Sequence, residues 1–371
     1  MTDQPKSLSL GQLALRKLRK HSLAMAGLCV LAFLYATCFV FSDFFAPYHF
    51  DNERRDLSYQ PPSKVRLRDA TGAIRRPFVY RSSYEFDEYQ NRVFTEDTSK
   101  AYPIRFFVKG DKHDLLGFIP VHTRLFGVDE PARIYLFGAD SRGRDLLSRT
   151  IYGGRVSLSI GLVGVFVSFV IGMLVGGISG YFGGPLDNAL QRMCEMIMMI
   201  PSFFLMLALR AAMPANYGSV SIYFMLVLIM SFIGWAGMAR VVRGMVLSIR
   251  SNEYIEAARA IGQTNLKIIA LHILPQTLSY AIVSLTLAIP GYILGESALS
   301  LLGLGIQDPY ASWGNLLRDA MAISEIKFHP WILIPGFFIL LTVMSFNFLG
   351  DGLRDAFDPR SQLVGKEYDQ P

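Results

Sequence analysis

The sequence has little charge and few cysteines for its length. Only 18% of its 371 residues are charged, whereas a soluble domain carries about 25%. Its three cysteines, Cys29, Cys38 and Cys194, lie within or beside long apolar stretches. They predict no disulfide framework of the kind that stabilises secreted domains. The composition therefore argues against both a soluble domain and a disulfide-rich one.

Motifs that carry catalysis are also missing. The chain contains no G-x-x-x-x-G-K-[ST] phosphate-binding loop and no H-E-x-x-H zinc motif. Its histidines are scattered and form no close cluster that predicts a metal site: His21, His49, His113, His122, His272 and His329. We therefore expect no catalytic residue, no metal ligand and no cofactor bound by this chain, and no intrinsic ATPase activity.

Long apolar runs are abundant, since 51% of the residues are hydrophobic. An apolar run of about 18 residues or more is long enough to cross a bilayer as a helix. Such runs lie at 24–41, 156–181, 197–212, 220–239, 278–302 and 331–349. They predict an all-α polytopic membrane protein with about six transmembrane helices. The first run exceeds a signal-peptide core and continues into bulky aromatic residues, so we expect an uncleaved anchor.

Lys and Arg residues predict the orientation, because short loops rich in them stay in the cytoplasm. Basic residues precede the first run, recur through 240–267, and appear again in the tail. With about six spans these three stretches fall on one side of the membrane. We therefore expect both termini to be cytoplasmic.

These features divide the chain into five segments. A cytoplasmic segment covers 1–21, within which 7–21 is either an interfacial helix or an unstructured polar tail. The remaining segments are the first transmembrane helix at 22–42, an extracytoplasmic insertion at 43–135, the main transmembrane domain at 136–350 and a cytoplasmic tail at 351–371.

The insertion at 43–135 is polar and contains no run long enough to cross a bilayer. The stretches 102–108 and 133–137 are rich in aromatic and β-branched residues, which predicts strands. Pro61-Pro62 and Gly110-Asp111 are typical of turns. We expect a small, mixed, β-containing subdomain.

One acidic residue, Glu296, falls well inside an apolar run. Charged groups inside a membrane are costly and usually functional, so Glu296 is expected to face the bundle interior or to line a polar path. The alternative is a hydrogen-bonded structural residue near the outer end of its span.

The most distinctive loop carries the sequence EAARAIGQTNLKIIALHILP at 256–275. A short helix is predicted over 251–261, with Asn252 as N-cap and Ile255, Ala258 and Ile261 on one side. Gly262 is expected to end it.

A second helix is predicted from Leu266 to Pro275, where the chain returns to the membrane. Glu256 is one of few acids in a basic loop and could pair with an Arg or Lys of a partner. The alanines give one face of the helix small side chains, so another protein surface could approach it closely. The segment is either a cytoplasmic docking elbow or an ordinary polar linker.

Glu256-Ala257-Ala258, Gly262 and His272-Ile273-Leu274-Pro275 resemble the EAA loop of ABC importer permeases. Three further blocks resemble the C-type permeases of dipeptide and oligopeptide importers: FGADSRGRDLLSRTIYGGRVSLSIG at 137–161, ALSLLGLGIQDPYASWGNLL at 298–317 and FNFLGDGLRDAFDPR at 346–360. The resemblance implies a type I ABC importer permease in a bacterial inner membrane. Such a chain forms a peptide pathway with a second permease subunit, receives substrate from an extracytoplasmic solute-binding protein, and is driven by ATP and Mg²⁺ bound to separate ATPase subunits.

The resemblance also assigns residues. The contact that couples the permease to the ATPase would consist of Glu256, Ala257, Ala258, Gly262, Leu274 and Pro275. The outer face near the docked binding protein would include Asp140, Gly143, Arg144 and Asp145. The last four residues could instead cap the second span.

The insertion at 43–135 is longer than is typical of this family. An enlarged loop of this kind resembles the YejE-like branch, which is associated with peptides and microcin C-like compounds. Two other classes compete with the importer interpretation. An ATP-independent secondary transporter or channel predicts inverted repeats and more mid-membrane charge, and a membrane-embedded enzyme predicts an acid/base or metal constellation.

Overall fold

The structure, a computed structural model, describes residues 10–68, 74–89, 92–115, 119–214 and 217–358. Within these residues five helical stretches are long and apolar enough to cross a membrane: Ser22–Val40, Leu146–Phe182, Ser219–Ile249, Asn265–Leu301 and Pro330–Phe357. A bent helix pair adds a sixth span if it is counted as one. The predicted class, a largely helical membrane protein with a small strand-containing insertion, is confirmed.

The elements follow one another in chain order. The helices are α1 (Leu10–Lys20), α2 (Ser22–Tyr35, continued as π-helix over Ala36–Val40), α3 (Ser42–Phe45), α4 (Leu146–Phe182), α5 (Gly184–Met199), α6 (Ser202–Ala211), α7 (Ser219–Ile249), α8 (Glu253–Ala260), α9 (Asn265–Ile268, continued as π-helix over Ile269–Ile273), α10 (Leu274–Leu301), α11 (Trp313–Leu316), α12 (Ile323–Phe328) and α13 (Ile334–Phe357). The strands are β1 (Arg66–Arg68), β2 (Ile74–Phe86), β3 (Arg92–Pro103), β4 (Arg105–Leu115) and β5 (Ile119–Gly127).

The third span, predicted at 197–212, is not one continuous helix. Helix α5 ends at Met199, α6 begins at Ser202, and the two are bent by 83°. Pro201 explains the break, because it has no N–H to donate and pushes the preceding residue out of helical geometry. Ile200 accordingly has an extended backbone, with φ −83° and ψ 125°.

The bundle is built around α4, which packs along α7 and also contacts α10. Gly176 of α4 lies so close to α7 that an added Cβ would approach the carbonyl oxygen of Ala239 to 2.5 Å. Small residues allow this close approach where lipid supplies no hydrophobic drive between helices. The glycine-rich second span is therefore an interhelical packing surface.

The insertion contains two antiparallel sheets, one of three strands in the order β1-β2-β3 and one formed by β4 and β5. The strand predicted at 133–137 is wrong. The backbone N–H of Ile134 donates to the Tyr48 hydroxyl at 3.0 Å, and that of Tyr135 donates to the Ser63 hydroxyl at 2.9 Å. These two backbone N–H groups therefore donate to side-chain hydroxyls and not to the carbonyls of a neighbouring strand.

The strand predicted at 102–108 is in fact divided between two strands. Strand β3 ends at Pro103 and β4 begins at Arg105, so the chain passes from one sheet to the other at Ile104. The turn predicted at Gly110-Asp111 is also wrong, because β4 runs through it to Leu115. An irregular register between Lys109 and His113 marks the place instead.

The bundle has two distinct ends. At one end, called here the loop end, α1 packs against the last turns of α13 through Leu18 and Ala356, and α8 packs near the last turn of α4. At the other, called here the insertion end, the indole of Trp331 at the start of the last span donates to the carbonyl of Ala139 at 3.0 Å. Helix α1 confirms the helical alternative for the N-terminal segment within the described residues.

Candidate functional site

Helix α8 lies between the spans formed by α7 and α10. Asn252 takes the N-cap position with an extended backbone, but its side chain makes no capping bond and instead donates to the Tyr254 hydroxyl at 3.3 Å. Its carbonyl accepts the first helical bonds, from the N–H groups of Ile255 and Glu256. Glu253 and Glu256 lie in the first turn, where negative charge is favoured by the helix dipole.

Two apolar side chains anchor α8 to the bundle. Ile255 is fully buried and Ala258 nearly so, in a cluster with Tyr181, Val242 and Ile268. Burying an Ile side chain stabilises a fold by about 1.5–3 kcal/mol, which is enough to hold one short helix in place. The prediction that Ile261 shares this face is wrong, because it is 75% exposed.

A glycine ends α8 for reasons of backbone geometry. Gly262 has φ +80°, which is strained for any residue with a Cβ, and its N–H donates to the carbonyl of Arg259 at 2.9 Å. A Cβ at this position would meet nothing within 4 Å, so conformation rather than space requires glycine. The second helix begins at Asn265, one residue before the predicted start.

Tyr181, at the end of α4, joins both short helices to the bundle. Its hydroxyl donates to the Asn265 side chain at 2.8 Å and accepts from Arg259 Nε at 3.2 Å. The Arg259 guanidinium also lies 5.0 Å from the ring centroid, within cation–π range. The position of α8 therefore depends on the end of α4, which is a membrane-crossing helix.

The outward face of the loop combines charge with apolar surface. Glu256 and Ala257 are exposed, and beside them Ile261 and Leu266 are 75% and 69% exposed. Ala258 lies on the opposite, buried side, so it anchors the helix and is not itself accessible. Leu274 is half-buried and Pro275 exposed, at the start of α10. Such a face can bind a protein partner but carries no group placed for covalent chemistry.

At the insertion end, the predicted docking residues are buried. Asp140, Arg144 and Asp145 are all less than a tenth exposed. Gly143 is buried too, with φ +72° and no room for a Cβ beside the carbonyl of Arg54. These four residues form the inside of a turn and not its surface. The residue of this turn that is exposed is Arg142.

An ion-pair network explains the burial. Arg144 binds Asp140 at 2.8 Å and Asp308 at 2.8 Å, and Arg149 binds Asp308 at 3.0 Å. At the rim Arg142 donates to Glu53 at 3.1 Å, and this hydrogen bond lowers the pKa of Glu53. The network joins the insertion to the start of α4 and to the segment before α11.

The balance of charge in this network is visible at Asp308. Burial by itself raises the pKa of its carboxyl, but the hydrogen bond from Arg144 and the nearby charges of Arg149 and Arg142 outweigh it and lower the pKa below its ordinary value. Asp308 is therefore held ionised between cations.

Asp145 follows the alternative interpretation, in which it caps the second span. It is the N-cap of α4, accepting from the Ser148 N–H at 2.7 Å and from the Ser148 hydroxyl at 2.6 Å. Burial raises the pKa of its carboxyl to about 7, against the lowering effect of these bonds.

Glu296 faces the bundle interior, as predicted, and it is fully buried. Its carboxylate accepts from Ser157 of α4 at 2.9 Å and from Ser300 of its own helix at 2.6 Å. Ser157 in turn accepts from the backbone N–H of Trp313. This enclosure favours the hydrogen-bonded structural interpretation over a residue lining an open path.

Sequence reasoning missed Tyr181, Arg149 and Asp308 as parts of these sites. Arg149 and Asp308 both lie inside the blocks quoted above for their resemblance to C-type permeases, but they are 159 positions apart and the pairing is long-range. Tyr181 sits at the end of an apolar run, where an aromatic residue is expected at a membrane interface for other reasons.

Long apolar helices, a bent sixth segment and an exposed loop helix define a multi-pass membrane protein. Residues 169–362, more than half of the chain, match the family described as "Binding-protein-dependent transport system inner membrane component". The chain belongs to this family. Residues 9–62 match a second family, described as "N-terminal TM domain of oligopeptide transport permease C".

Similar proteins carry related names. The chain is 44% identical over 190 residues to the "Oligopeptide transport system permease protein OppC" of Haemophilus influenzae, covering 51% of this chain and 58% of that protein. It is 40% identical over 189 residues to the "Dipeptide transport system permease protein DppC" of Bacillus subtilis, covering 51% and 57%. The chain thus spans less than two thirds of the length of these relatives. A solved structure of the MetNI methionine ABC transporter shares 18% identity at a TM-score of 0.41, covering 56% of this chain and 96% of that one.

Proposed function

We propose that this protein is one of two permease subunits of a binding-protein-dependent ABC importer, and that with a second permease it forms a pathway for peptides. The family match and the names of the oligopeptide and dipeptide relatives support this proposal. ATP and Mg²⁺ would bind to separate ATPase subunits, so this chain would itself be non-catalytic. The enlarged insertion is the basis for a YejE-like branch that takes peptides or microcin C-like compounds.

One observation carries the proposal: an exposed helix fixed to the ends of membrane-crossing helices by buried side chains. In α8, Glu256 and Ala257 would contact the ATPase, while Ile255 and Ala258 hold the helix to the bundle. Gly262 sets the turn, and Leu274 and Pro275 begin the span that would move with it. Arg259 and Tyr181 provide the link from α8 to α4.

The orientation belongs to the same proposal. The loop end, with α1 and the last turns of α13, would be cytoplasmic, and the strand-containing insertion would be extracytoplasmic. The basic character of α1, with Lys17, Arg19 and Lys20 in its last turn, supports this direction.

The solute-binding protein would dock at the insertion end. Because Asp140, Gly143, Arg144 and Asp145 are buried, we propose that they act by holding the turn in shape. The contact itself would then use the exposed Arg142 beside them.

The first test is purification of the tagged full-length chain from its native membranes. Recovery of a second permease and an ATPase is expected. Recovery of the chain without any ATPase would favour the alternative, an ATP-independent transporter or channel.

The second test replaces Glu256 with Lys. Reversing the charge on the exposed face should release the ATPase and abolish peptide uptake. Membrane insertion should be retained and the free energy of unfolding should fall by no more than about 1 kcal/mol, because the side chain is exposed and loses only its favourable interaction with the helix dipole. Glu88→Lys, at an exposed acid of the insertion, is the matched control and should retain the ATPase. Normal uptake by the Glu256→Lys variant would contradict the coupling assignment.

A further inference from the structure

The insertion carries two adjacent exposed aromatic side chains in strand β4. Phe106 is 58% exposed and Phe107 is 68% exposed. In a regular strand neighbouring side chains point to opposite faces, and a small sheet usually buries one of them. Here neither ring is buried.

The backbone at this point is unusual. Phe107 has φ +54°, a left-handed conformation that is rare for a bulky residue and costs conformational free energy. It interrupts the alternation of the strand. Phe106 pairs in register with Phe126, which packs on the small apolar core of the insertion.

Ring contacts connect Phe107 to the end of the first span. The first span ends at Val40, and from there a series of ring contacts leads to the insertion: Phe41 to Phe45 at 6.3 Å, Phe45 to Phe44 at 5.3 Å and Phe44 to Phe107 at 6.3 Å. Phe41 itself is 40% exposed. The exposed aromatic surface of β4 is therefore continuous with the outer end of a membrane-crossing helix.

The residues that flank this surface are basic. Arg105 and Lys109, on either side of the two phenylalanines and Val108, are both exposed, and Arg105 also pairs with Asp129 at 2.6 Å. Aromatic rings between basic side chains are typical of surfaces that lie in the interface of a bilayer, with rings among the acyl-chain ends and cations near the phosphates.

We propose that the Phe106-Phe107 surface rests in the interface of the outer leaflet and seats the insertion on the membrane. The occupant of this surface is lipid and not a protein partner. The proposal rests on the membrane-spanning bundle and on the orientation proposed above, and it goes beyond peptide import because it requires neither the ATPase nor a substrate.

The test places a tryptophan at each ring position, Phe106→Trp and Phe107→Trp, in the full complex reconstituted into vesicles of phosphatidylethanolamine and phosphatidylglycerol. Emission is measured with lipids brominated near the headgroup and, separately, with aqueous iodide. The signal of the native protein, which has three tryptophans, is subtracted. Tyr89→Trp is the matched control, because Tyr89 is an exposed aromatic residue, 82% accessible, on the other hairpin.

Both Phe variants are expected to lose most of the added emission to brominated lipid and little to iodide, with the reverse for Tyr89→Trp. Quenching of the Phe variants by iodide alone would show that the insertion stands clear of the bilayer and would overturn the proposal. Protection from both quenchers would show a protein partner on this surface and would overturn it equally. Loss of the ATPase contact in a separate experiment leaves this readout unaffected.

Discussion

At the insertion end of the bundle, Asp140, Arg144 and Arg149 are buried in mutual contact, whereas at the loop end Glu256 stands exposed on a short helix. The two regions resemble each other in sequence, since both are charged, glycine-containing stretches beside apolar spans. They differ in what their charges touch. At the insertion end each charge has a partner within the chain, and at the loop end the acidic face points outward.

This difference distinguishes charged residues that stabilise the fold from charged residues that are available to bind a partner. A buried ion is tolerated only when it is paired, and removing one partner leaves the other uncompensated. An exposed ion costs little to keep and little to change, so it is free to bind another protein. We therefore expect substitutions at the insertion end to damage folding and those at Glu256 to damage function.

The largest expected effect is at Asp308. Replacing it with Ala removes the carboxylate that Arg144 and Arg149 share. The free energy of unfolding should fall by an amount near the lower end of about 3–5 kcal/mol, because Asp140 remains as a partner of both arginines and Asp308 is partly exposed. The apparent Tm of the purified chain in detergent measures it.

Arg142→Gln is the control for Asp308→Ala, because Arg142 lies at the exposed rim of the same network. Its effect should stay within about 1 kcal/mol. Equal losses for the two variants would show that burial does not distinguish these charges, and the comparison between the two ends would fail.

A smaller effect, dependent on pH, is expected at Asp145. Because burial raises its pKa to about 7, the folded state favours the protonated carboxyl. This contribution to stability is full below the ordinary pKa of an aspartate and is lost as pH rises through 7.

Asp145→Asn keeps an oxygen to accept from Ser148 but cannot ionise. Its apparent Tm should exceed that of the native chain at pH 8 by roughly 2–4 °C, with a smaller difference at pH 5. Asp145→Ala, which lacks the acceptor, should be less stable than Asp145→Asn at both values. A difference between the native and Asn proteins that is the same at pH 5 and pH 8 would contradict a raised pKa.

The smallest effect on stability is expected at Gly262, where a substitution would change only the conformational energy of the backbone. Gly262→Ala should cost about 1–2 kcal/mol, because a Cβ is disfavoured at φ +80° even with free space around it. Gly244→Ala in helix α7, which also meets nothing within 4 Å, is the matched control and should be neutral or stabilising. The two variants are compared by apparent Tm and, for Gly262→Ala, by retention of the ATPase subunit proposed above as a partner.

Local sequence was sufficient for the spans and for the loop helix. Apolar length predicted most of the membrane helices, because in lipid a backbone must satisfy its own hydrogen bonds and a long apolar run has few alternatives to a helix. The end of α8 at Gly262 was likewise predictable, because glycine favours a left-handed turn. The small side chains on one face of α8 follow directly from its alanines.

Local sequence was not sufficient for the third span or for the insertion. Pro201 lies inside the predicted third span, but whether a proline kinks a helix or divides it with a bend of 83° depends on the helices that pack beside it. The segment at 133–137 has the composition of a strand, yet its backbone N–H groups donate to the hydroxyls of Tyr48 and Ser63, which lie far away in the sequence.

The sequence by itself determined that this chain crosses a membrane, that it carries an exposed helix between two spans, and which family it resembles. Only the tertiary structure decided which charges are available to a partner. Asp140 and Glu256 are both acids in polar stretches next to a span, and nothing in their immediate neighbours separates them. Arg144 and Arg149 contact the Asp140 carboxylate and bury it, whereas no residue of the described chain covers Glu256. Burial depends on which residues the tertiary fold brings together, and the neighbouring sequence does not determine it.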